Sequence, residues 1–383
     1  MSSSFVVVIT DREVFRGRVG GLKVPLRLAI TAARGGAKAI YLAGSAERLA
    51  PSLVDPRVTV PILVETPPND MITIEVPADV VVHQAVFAAL ADGVSDGRAR
   101  SLGNGDARIL ARPPEAARAS HGPPAPLVFA PPFGFPPMCV TSFRTAVRAT
   151  TALLRSCRKA QDGWTSTYLN RHLSLNVTRL LLHLGVHPNH VTVVILAFGL
   201  ASGVLAAQGH FIYGAALLQA QSTLDGCDGE LARMTFRQTK LGEWLDTIGD
   251  DVSNYAFFAG ASFGMHRATQ QAVWLVLGAV IVGFGGLASA IEYRYLLRIG
   301  SGDLLVYPIA EGGQWGDWVK RAPLAGRIAT SLQPLFKRDT FILITLLAAM
   351  AGMLSGILVV CAFGAIAILI AVLRTEARLM RPT

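Results

Sequence analysis

The stretch from Leu224 to Asp251 reads LDGCDGELARMTFRQTKLGEWLDTIGDD and places Asp225, Asp228, Asp246 and Asp250 in or beside strongly apolar sequence. Carboxylates in such surroundings are costly and mark function. Asp225 and Asp228 stand three residues apart and Asp246 and Asp250 four apart, so on helices each pair projects from one face. Two such faces turned toward each other make a cluster of four carboxylates. Like charges at close range disfavour one another's ionisation, so the cluster needs a counter-charge, and a divalent metal ion is the obvious one. Hard cations take carboxylate oxygens. Two other readings use the same residues: packing salt bridges to Arg233 and Lys240, or an ion-coupled transporter with these acids along its pathway.

The elements that must position these acids are apolar. The chain has 383 residues, 51% of them hydrophobic and 16% charged, a balance that points to a membrane protein. Long apolar runs begin after about residue 189 and predict six transmembrane helices, at about 190–209, 211–235, 241–264, 270–298, 338–353 and 355–375. The expected fold is therefore an α-helical integral membrane bundle preceded by a small α/β Rossmann-like cytoplasmic domain. The formal net charge is +9. Lys and Arg cluster at the edges of apolar runs, and no basic-aromatic stripe suggests a nucleic-acid groove, so lipid bilayer is expected as a partner and nucleic acid is not. Arg171 and Arg179 precede the first helix, and Arg233, Arg237 and Lys240 lie between the second and third. Lys320, Arg321, Arg327, Lys337 and Arg338 lie between the fourth and fifth, and Arg374, Arg378 and Arg381 follow the sixth. The positive-inside rule then puts both termini and the aspartate cluster on the cytoplasmic side of a multi-pass cell (inner) membrane protein. Cys139, Cys157, Cys227 and Cys361 share no CxxC spacing and read as reduced packing residues. The N-terminal MSSSFVVVITDRE lacks the basic lead-in and long apolar run of a secretory signal.

Before the bundle, residues 5–9 (FVVVI) read as a buried strand, followed by a loop with Gly17, Gly20 and Gly21 and a helix from about Pro25 to Arg34. Residues 39–44 (AIYLAG) and 61–65 (PILVE) supply further strands, the spacing of an α/β unit with a parallel sheet over residues 1–111. Residues 112–141 carry Pro113-Pro114, Pro123-Pro124, Pro131-Pro132 and Pro136-Pro137 and read as an extended linker. Residues 142–188 are expected to form juxtamembrane helices, the first bearing Arg144, Arg148, Arg155, Arg158 and Lys159. That basic helix has two readings, a solvated charged face or an interfacial helix on an anionic leaflet. Residues 189–383 are the membrane domain.

The spacing Asp225-x-x-Asp228-Gly229-x-x-Ala232-Arg233, eight residues, Gly242-x-x-x-Asp246-x-x-x-Asp250 closely resembles the signature of the CDP-alcohol phosphatidyltransferase family, with every fixed position filled. Pro188-Asn189-His190-Val191-Thr192 looks like the PNxVT element of many members, and the similarity covers roughly residues 164 to 380. The resemblance implies that Asp225, Asp228 and Asp246 hold two Mg²⁺ or Mn²⁺ ions. It implies that Asp250 binds metal or acts as the catalytic general base. Asn189, Thr192, Gly229, Ala232, Arg233 and Gly242 would bind CDP and phosphate. Glycines remove side chains where a helix must approach the nucleotide or a neighbouring helix, and Arg233 supplies a fixed guanidinium. An acceptor hydroxyl attacks the β-phosphorus of a CDP-alcohol and CMP leaves, in phospholipid or related phosphodiester biosynthesis. In the family a basic pocket often holds the phosphate of a phosphorylated acceptor. Arg294, Arg298, Lys337 and Arg338 are candidates for it, although positive-inside anchoring accounts for the same residues. A homodimer is common among members. Asp251 points about a hundred degrees away from Asp250 on a helix and reads as a supporting or interfacial residue.

The first 110 or so residues are loosely similar to sugar-phosphate nucleotidyltransferases. Those enzymes carry a GxGxR-type loop directly after the first strand, where this chain has Thr10, Asp11 and Arg12 and brings its glycines later. The expectation is a degenerate or structural domain, with an active cytidylyltransferase as the alternative. The layout resembles bifunctional enzymes that join such a domain to this membrane domain, and Asp162-Gly163-Trp164, Asn170 and Arg171 look like their junction.

Overall fold

The computed structural model describes residues 4–13, 15–94, 97–103, 105–117, 125–126, 136–157, 165, 169–308 and 338–380. Lys337, Asp162-Gly163-Trp164, Arg158, Lys159, Lys320, Arg321, Arg327, Arg381 and most of the proline-rich segment lie outside the described residues. The chain divides into two compact units, residues 1–158 with 234–236, and residues 159–233 with 237–383.

The first unit is built on β1 (Phe5–Thr10), whose Phe5 to Ile9 are all buried, as an uninterrupted apolar run requires of a strand covered on both faces. Two short strands follow, β2 (Arg18–Val19) and β3 (Leu22–Lys23), paired antiparallel. Gly20 and Gly21 between them have φ of +55° and +83°. A two-residue hairpin turn demands that conformation, which glycine adopts at least cost. The glycines expected as a loop therefore close a hairpin. Helix α1 (Val24–Arg34) packs behind it and supplies the buried Arg27. That guanidinium donates from Nε to the Val19 carbonyl and from Nη2 to the Gly20 carbonyl, each at 2.9 Å. Burial pushes its pKa down to about 10.

Next come β4 (Ile40–Ala43), α2 (Ala50–Leu53), β5 (Ile62–Leu63), β6 (Ile72–Pro77), β7 (Val80–Val81), α3 (Ala85–Gly93), β8 (Arg100–Leu102), β9 (Ile109–Arg112), β10 (Ala125–Pro126), β11 (Met138–Cys139) and α4 (Phe143–Ser156). The main sheet has the order β10-β8-β9-β6-β1-β4-β5. β4 and β6 flank β1 in parallel and β5 continues parallel beside β4. β9, however, runs antiparallel to both β6 and β8. The expected wholly parallel sheet is thus corrected to a mixed one. The short connection from β8 to β9 closes an antiparallel pair, since a parallel one would need a long crossover, whereas β10 pairs parallel with β8. Phe5, Leu28, Ile40, Ile74, Phe87 and Ile109 lie in the core.

This unit runs past residue 111. β11 pairs with β7, and α4, opened by a Ser142/Thr145 capping box, buries Ala146, Ala149, Leu153 and Leu154. The Thr150 hydroxyl of α4 accepts from the Gly20 amide at 3.2 Å, while Arg144, Arg148 and Arg155 stay exposed.

The second unit begins with α5 (Arg171–Leu184), ended by Gly185 at φ +68°. It continues with α6 (Pro188–Ala207), α7 (Phe211–Thr235), α8 (Lys240–Thr269), α9 (Val273–Ile299), α10 (Arg338–Met350) and α11 (Leu354–Leu379). The apolar helices expected from the sequence are α6 to α11. Among the described residues three of these, α6, α9 and α11, are long and apolar enough to cross a membrane. α7 and α8 are long but carry the acidic and basic residues of the aspartate stretch, and α10 is 13 residues long.

Helices α6 and α8 touch along small residues. A Cβ added at Gly260 would sit 2.0 Å from the Gly203 carbonyl oxygen, and one at Gly199 would overlap Ser253. Only small residues allow such backbone approach. That seam joins the second half of α6 to the middle of α8, and the two helices meet again at their N-terminal ends, where a Cβ at Gly242 would stand 3.7 Å from the Asn189 side-chain oxygen.

Candidate active site

Three helix segments bring the site together. The first turn of α6 starts with Pro at its first position, and the His187 imidazole accepts from the Asn189 amide at 3.3 Å, so an otherwise orphaned helix-end donor is satisfied. One turn on, the Thr192 hydroxyl donates to Asp228 Oδ2 of α7 at 2.5 Å. The Gly229 amide lies 2.5 Å from Asp228 Oδ1. Asp228 is buried, so each of its oxygens has a hydrogen-bond donor. The first turn of α8 is capped by Thr239, whose hydroxyl accepts from the Gly242 amide at 3.0 Å. A Cβ at Gly242 would stand 3.2 Å from that hydroxyl and 3.7 Å from the Asn189 side-chain oxygen, where it would narrow the gap between the α6 and α8 termini.

Gly229, which lines open space beside the aspartates, also makes room for a side chain of its own helix. A Cβ there would meet the Arg233 guanidinium at 3.2 Å, so the glycine lets Arg233 fold back along its own helix. The Arg233 Nε is buried and finds no partner among the described residues. An orphaned buried guanidinium donor marks a place where an anion is expected.

Two cavities meet at these residues. One, of about 400 Å³, is lined by Pro188, Asn189 and Thr192 from α6, by residues 237–240, and by Ala232 and Gly242. The other, of about 280 Å³, is lined by Asn170, Arg171 and Ser174 of α5, by Asp225 and Gly226, and by Arg338 and Asp339 of α10. Asp228, Gly229, Arg233 and Asp246 line both. Three of the four expected metal ligands therefore border one space. Asp250 does not: its Oδ1 accepts from Gln221 Nε2 at 3.2 Å and its Oδ2 from Arg338 Nη1. The same Arg338 nitrogen is 3.5 Å from Asp225 Oδ2, and its Nη2 donates to Gln221 Oε1 at 3.1 Å. Arg338 is thus a counter-charge for Asp225 and Asp250. Among the described residues no group of three or more His, Cys, Asp and Glu side chains is drawn together as metal ligands. The α5-side cavity is nonetheless lined by the carboxylates of Asp225, Asp228, Asp246 and Asp339, oxygen donors of the kind that Mg²⁺ and Mn²⁺ prefer.

The expected acceptor residues separate. Arg338 lines the α5-side cavity. Arg294 lines neither cavity; its Nη2 donates to Glu376 Oε2 of α11 at 2.8 Å, because the last turns of α9 face α11. Arg298 is exposed at the end of α9 and lines neither cavity. Asp251 faces α9, where Ser289 and Tyr293 donate to its Oδ2 at 2.5 and 2.7 Å.

Sequence reading missed Gln221, and it missed Glu230 and Arg171 as partners. Glu230 sits inside the signature at a variable position, and Arg171 looked like an orienting charge, so only the pairing of distant positions reveals them.

The family profile of CDP-alcohol phosphatidyltransferase matches residues 185–375. The chain is similar to the bifunctional IPC transferase and DIPP synthase of Aquifex aeolicus, 31% identical over 186 residues, covering 45% of this chain and 42% of that protein. The protein of the same description from Thermococcus kodakarensis is 35% identical over 144 residues, 36% of this chain and 32% of its own. The phosphatidylinositol phosphate synthase of Corynebacterium glutamicum is 36% identical over 90 residues, 23% of this chain and 40% of its own. The chain spans less than half the length of each of these relatives.

Proposed function

We propose that this chain, whose residues 185–375 form a CDP-alcohol phosphatidyltransferase domain, moves a substituted phosphate group from a CDP-alcohol to an acceptor alcohol and releases CMP. The observation that carries the reading is the meeting of two cavities at Asp228, Gly229, Arg233 and Asp246. A group transfer between two substrates needs two binding spaces that share the reacting centre, and a single ion pathway does not.

In this reading the cytidine diphosphate occupies the α6–α8 cavity, with Asn189, Thr192, Ala232 and Gly242 around it. Arg233, with its orphaned Nε, holds a phosphate oxygen. The acceptor enters from the α5 side. Its hydroxyl oxygen forms a bond to the β-phosphorus as the bond from that phosphorus to the bridging oxygen breaks, and CMP carries that oxygen away. Asp250, exchanging Arg338 for the hydroxyl, receives the proton. Two Mg²⁺ or Mn²⁺ ions, which Asp225, Asp228 and Asp246 would hold, would supply charge neutralisation at the pyrophosphate when bound. Thr192, by fixing Asp228, keeps one of those carboxylates turned toward the shared space.

The bundle in this proposal has six spanning helices in the cell membrane. Both termini and the aspartates face the cytoplasm, where soluble nucleotide and lipid meet, and pairing into a homodimer is part of the same picture. The N-terminal unit is a degenerate nucleotidyltransferase-like domain, because its glycines are used in the β2–β3 hairpin. The second reading, an enzyme that also makes its own CDP-alcohol from CTP, draws on the relatives described as bifunctional. Pyrophosphate release from CTP and sugar phosphates by the full chain would favour that reading.

The direct test is CMP release by the purified full chain from CDP-diacylglycerol with a panel of acceptors. Asp225→Asn is expected to lower it by roughly a hundredfold or more, and retained full turnover would refute the site. An ion-coupled transporter using the same acids would bind CDP no better with Mg²⁺ than without it.

A further inference from the structure

Glu230 is fully buried on α7 and, among the described residues, its side-chain donors come from one helix, α5. Arg171 Nη1 donates to its Oε1 at 2.6 Å, the Ser174 hydroxyl to the same oxygen at 3.1 Å, and the Thr178 hydroxyl to Oε2 at 2.7 Å. Residues 171, 174 and 178 fall on one face of α5. The seam extends one residue further, where the Asn170 side-chain oxygen accepts from Gln219 Nε2 at 3.3 Å and from the Thr223 hydroxyl at 3.2 Å. A buried carboxylate with three donors is well compensated, and removing its charge takes a counter-charge from the buried Arg171.

This seam lies at the site itself. Asn170, Arg171 and Ser174 form the α5 wall of the smaller cavity, and no residue of α5 lines the larger one. The Arg171 guanidinium rests over Gly226, where a Cβ would be 3.1 Å from its Nη1. It therefore sits beside the turn of α7 that carries Asp225 and Asp228. A packing ion pair elsewhere in the bundle would stabilise helices; this one also holds one of the three guanidinium groups that border the smaller cavity.

We infer that Glu230 is a positioning residue that presets Arg171 as the specificity-determining cation of the α5-side cavity, for an acceptor carrying a phosphate group. The inference rests on the transferase reading for the identity of the two cavities. An anionic acceptor meets Arg171, Arg233 and Arg338 around one space, and a bidentate guanidinium held by a fixed carboxylate suits phosphate oxygens better than a mobile one.

The test uses the full chain in detergent with Mg²⁺, titrated first with CDP and then, CDP-loaded, with inorganic phosphate. Glu230→Gln and Arg171→Gln are each expected to weaken phosphate binding by about tenfold or more while CDP affinity stays within about twofold. The double variant should lose no more than either single one, because the two residues act as one unit. Thr178→Val, which removes one donor and keeps the ion pair, is expected to weaken phosphate by about threefold and guards against a misfolded Glu230 variant. Equal losses for CDP and phosphate, additive losses in the double variant, or a wild-type chain that binds CDP but no phosphate would each overturn the inference. A wild-type chain that fails to bind CDP would instead count against the transferase reading beneath it.

Discussion

Acidic residues follow the end of β1 and β6 in the first unit and line the meeting of α7 and α8 in the second, and they are treated differently. Asp11, just after β1, accepts from Ser45 and from Arg48 Nη2 at 2.8 Å. Asp79, after β6, is buried and accepts from the Cys139 thiol at 2.8 Å, with Arg12 at 3.8 Å held in turn by Asp106. The chain continues from β1 to β4 on one side and returns with β6 on the other, so the carboxyl ends of β1 and β6 are where an open α/β sheet would take a ligand. Here the side chains at those ends bind one another, although Asp79 Oδ1 finds no hydrogen-bond partner among the described residues. In the helical unit Asp225, Asp228 and Asp246 face shared open space, and orphaned buried donors beside them belong to Arg233 and Arg338. The comparison separates charge used to finish a fold from charge kept for a substrate.

The largest expected effect that sharpens this contrast is at Arg233. Arg233→Gln should lower CMP release by roughly a hundredfold, with the helical content unchanged by circular dichroism. A loss under about threefold would place Arg233 among the structural charges. In the first unit, burial raises the Cys139 thiol pKa to about 11, with the hydrogen bond to Asp79 adding to it. The folded state therefore holds that proton more firmly. Its stabilising contribution is complete below the ordinary thiol range and is lost as pH rises toward 11. Alkylation of Cys139 by iodoacetamide at pH 8, followed by mass spectrometry, should be roughly tenfold or more slower in the native chain than in the denatured one. Equal rates would open the Asp79 cluster.

A smaller effect is expected at the hairpin. Gly20→Ala at φ +55° should cost about 1 kcal/mol or more in the stability of the first unit, read as a lower melting temperature, with CDP affinity unchanged. The smallest effect separates Arg294 from Arg338. Because Arg294 is engaged by Glu376, Arg294→Ala should change the acceptor KM by no more than about twofold, whereas Arg338→Ala should change turnover clearly. An equal response would restore Arg294 to the acceptor pocket.

Much of the helical unit was legible because long apolar runs and fixed acidic spacings are local signals. α6 to α11 and the first strand of the sheet follow from them directly. What escaped depends on partners far away in sequence. The alternation ITIEVP of β6 is a strand pattern weakened by Pro77, and its central place in the sheet follows only from pairing with β1. The Gly20-Gly21 turn was visible as glycine and invisible as a hairpin, because β2 and β3 are two residues each. Glu230 and Arg171 lie 59 positions apart, and charge alone could not join them. Arg294 and Arg338 looked alike on the sequence and were parted by helix facing.

The measurement that bears most directly on the site is CDP titration of the full chain with and without Mg²⁺, in the wild type and in Asp228→Asn. Asp228 borders both cavities and is oriented by Thr192. The expected result is Mg²⁺-dependent CDP binding that the substitution weakens by roughly a hundredfold. Mg²⁺-independent binding, or binding that Asp228→Asn leaves intact, would contradict the assignment of these aspartates to a metal-assisted transfer.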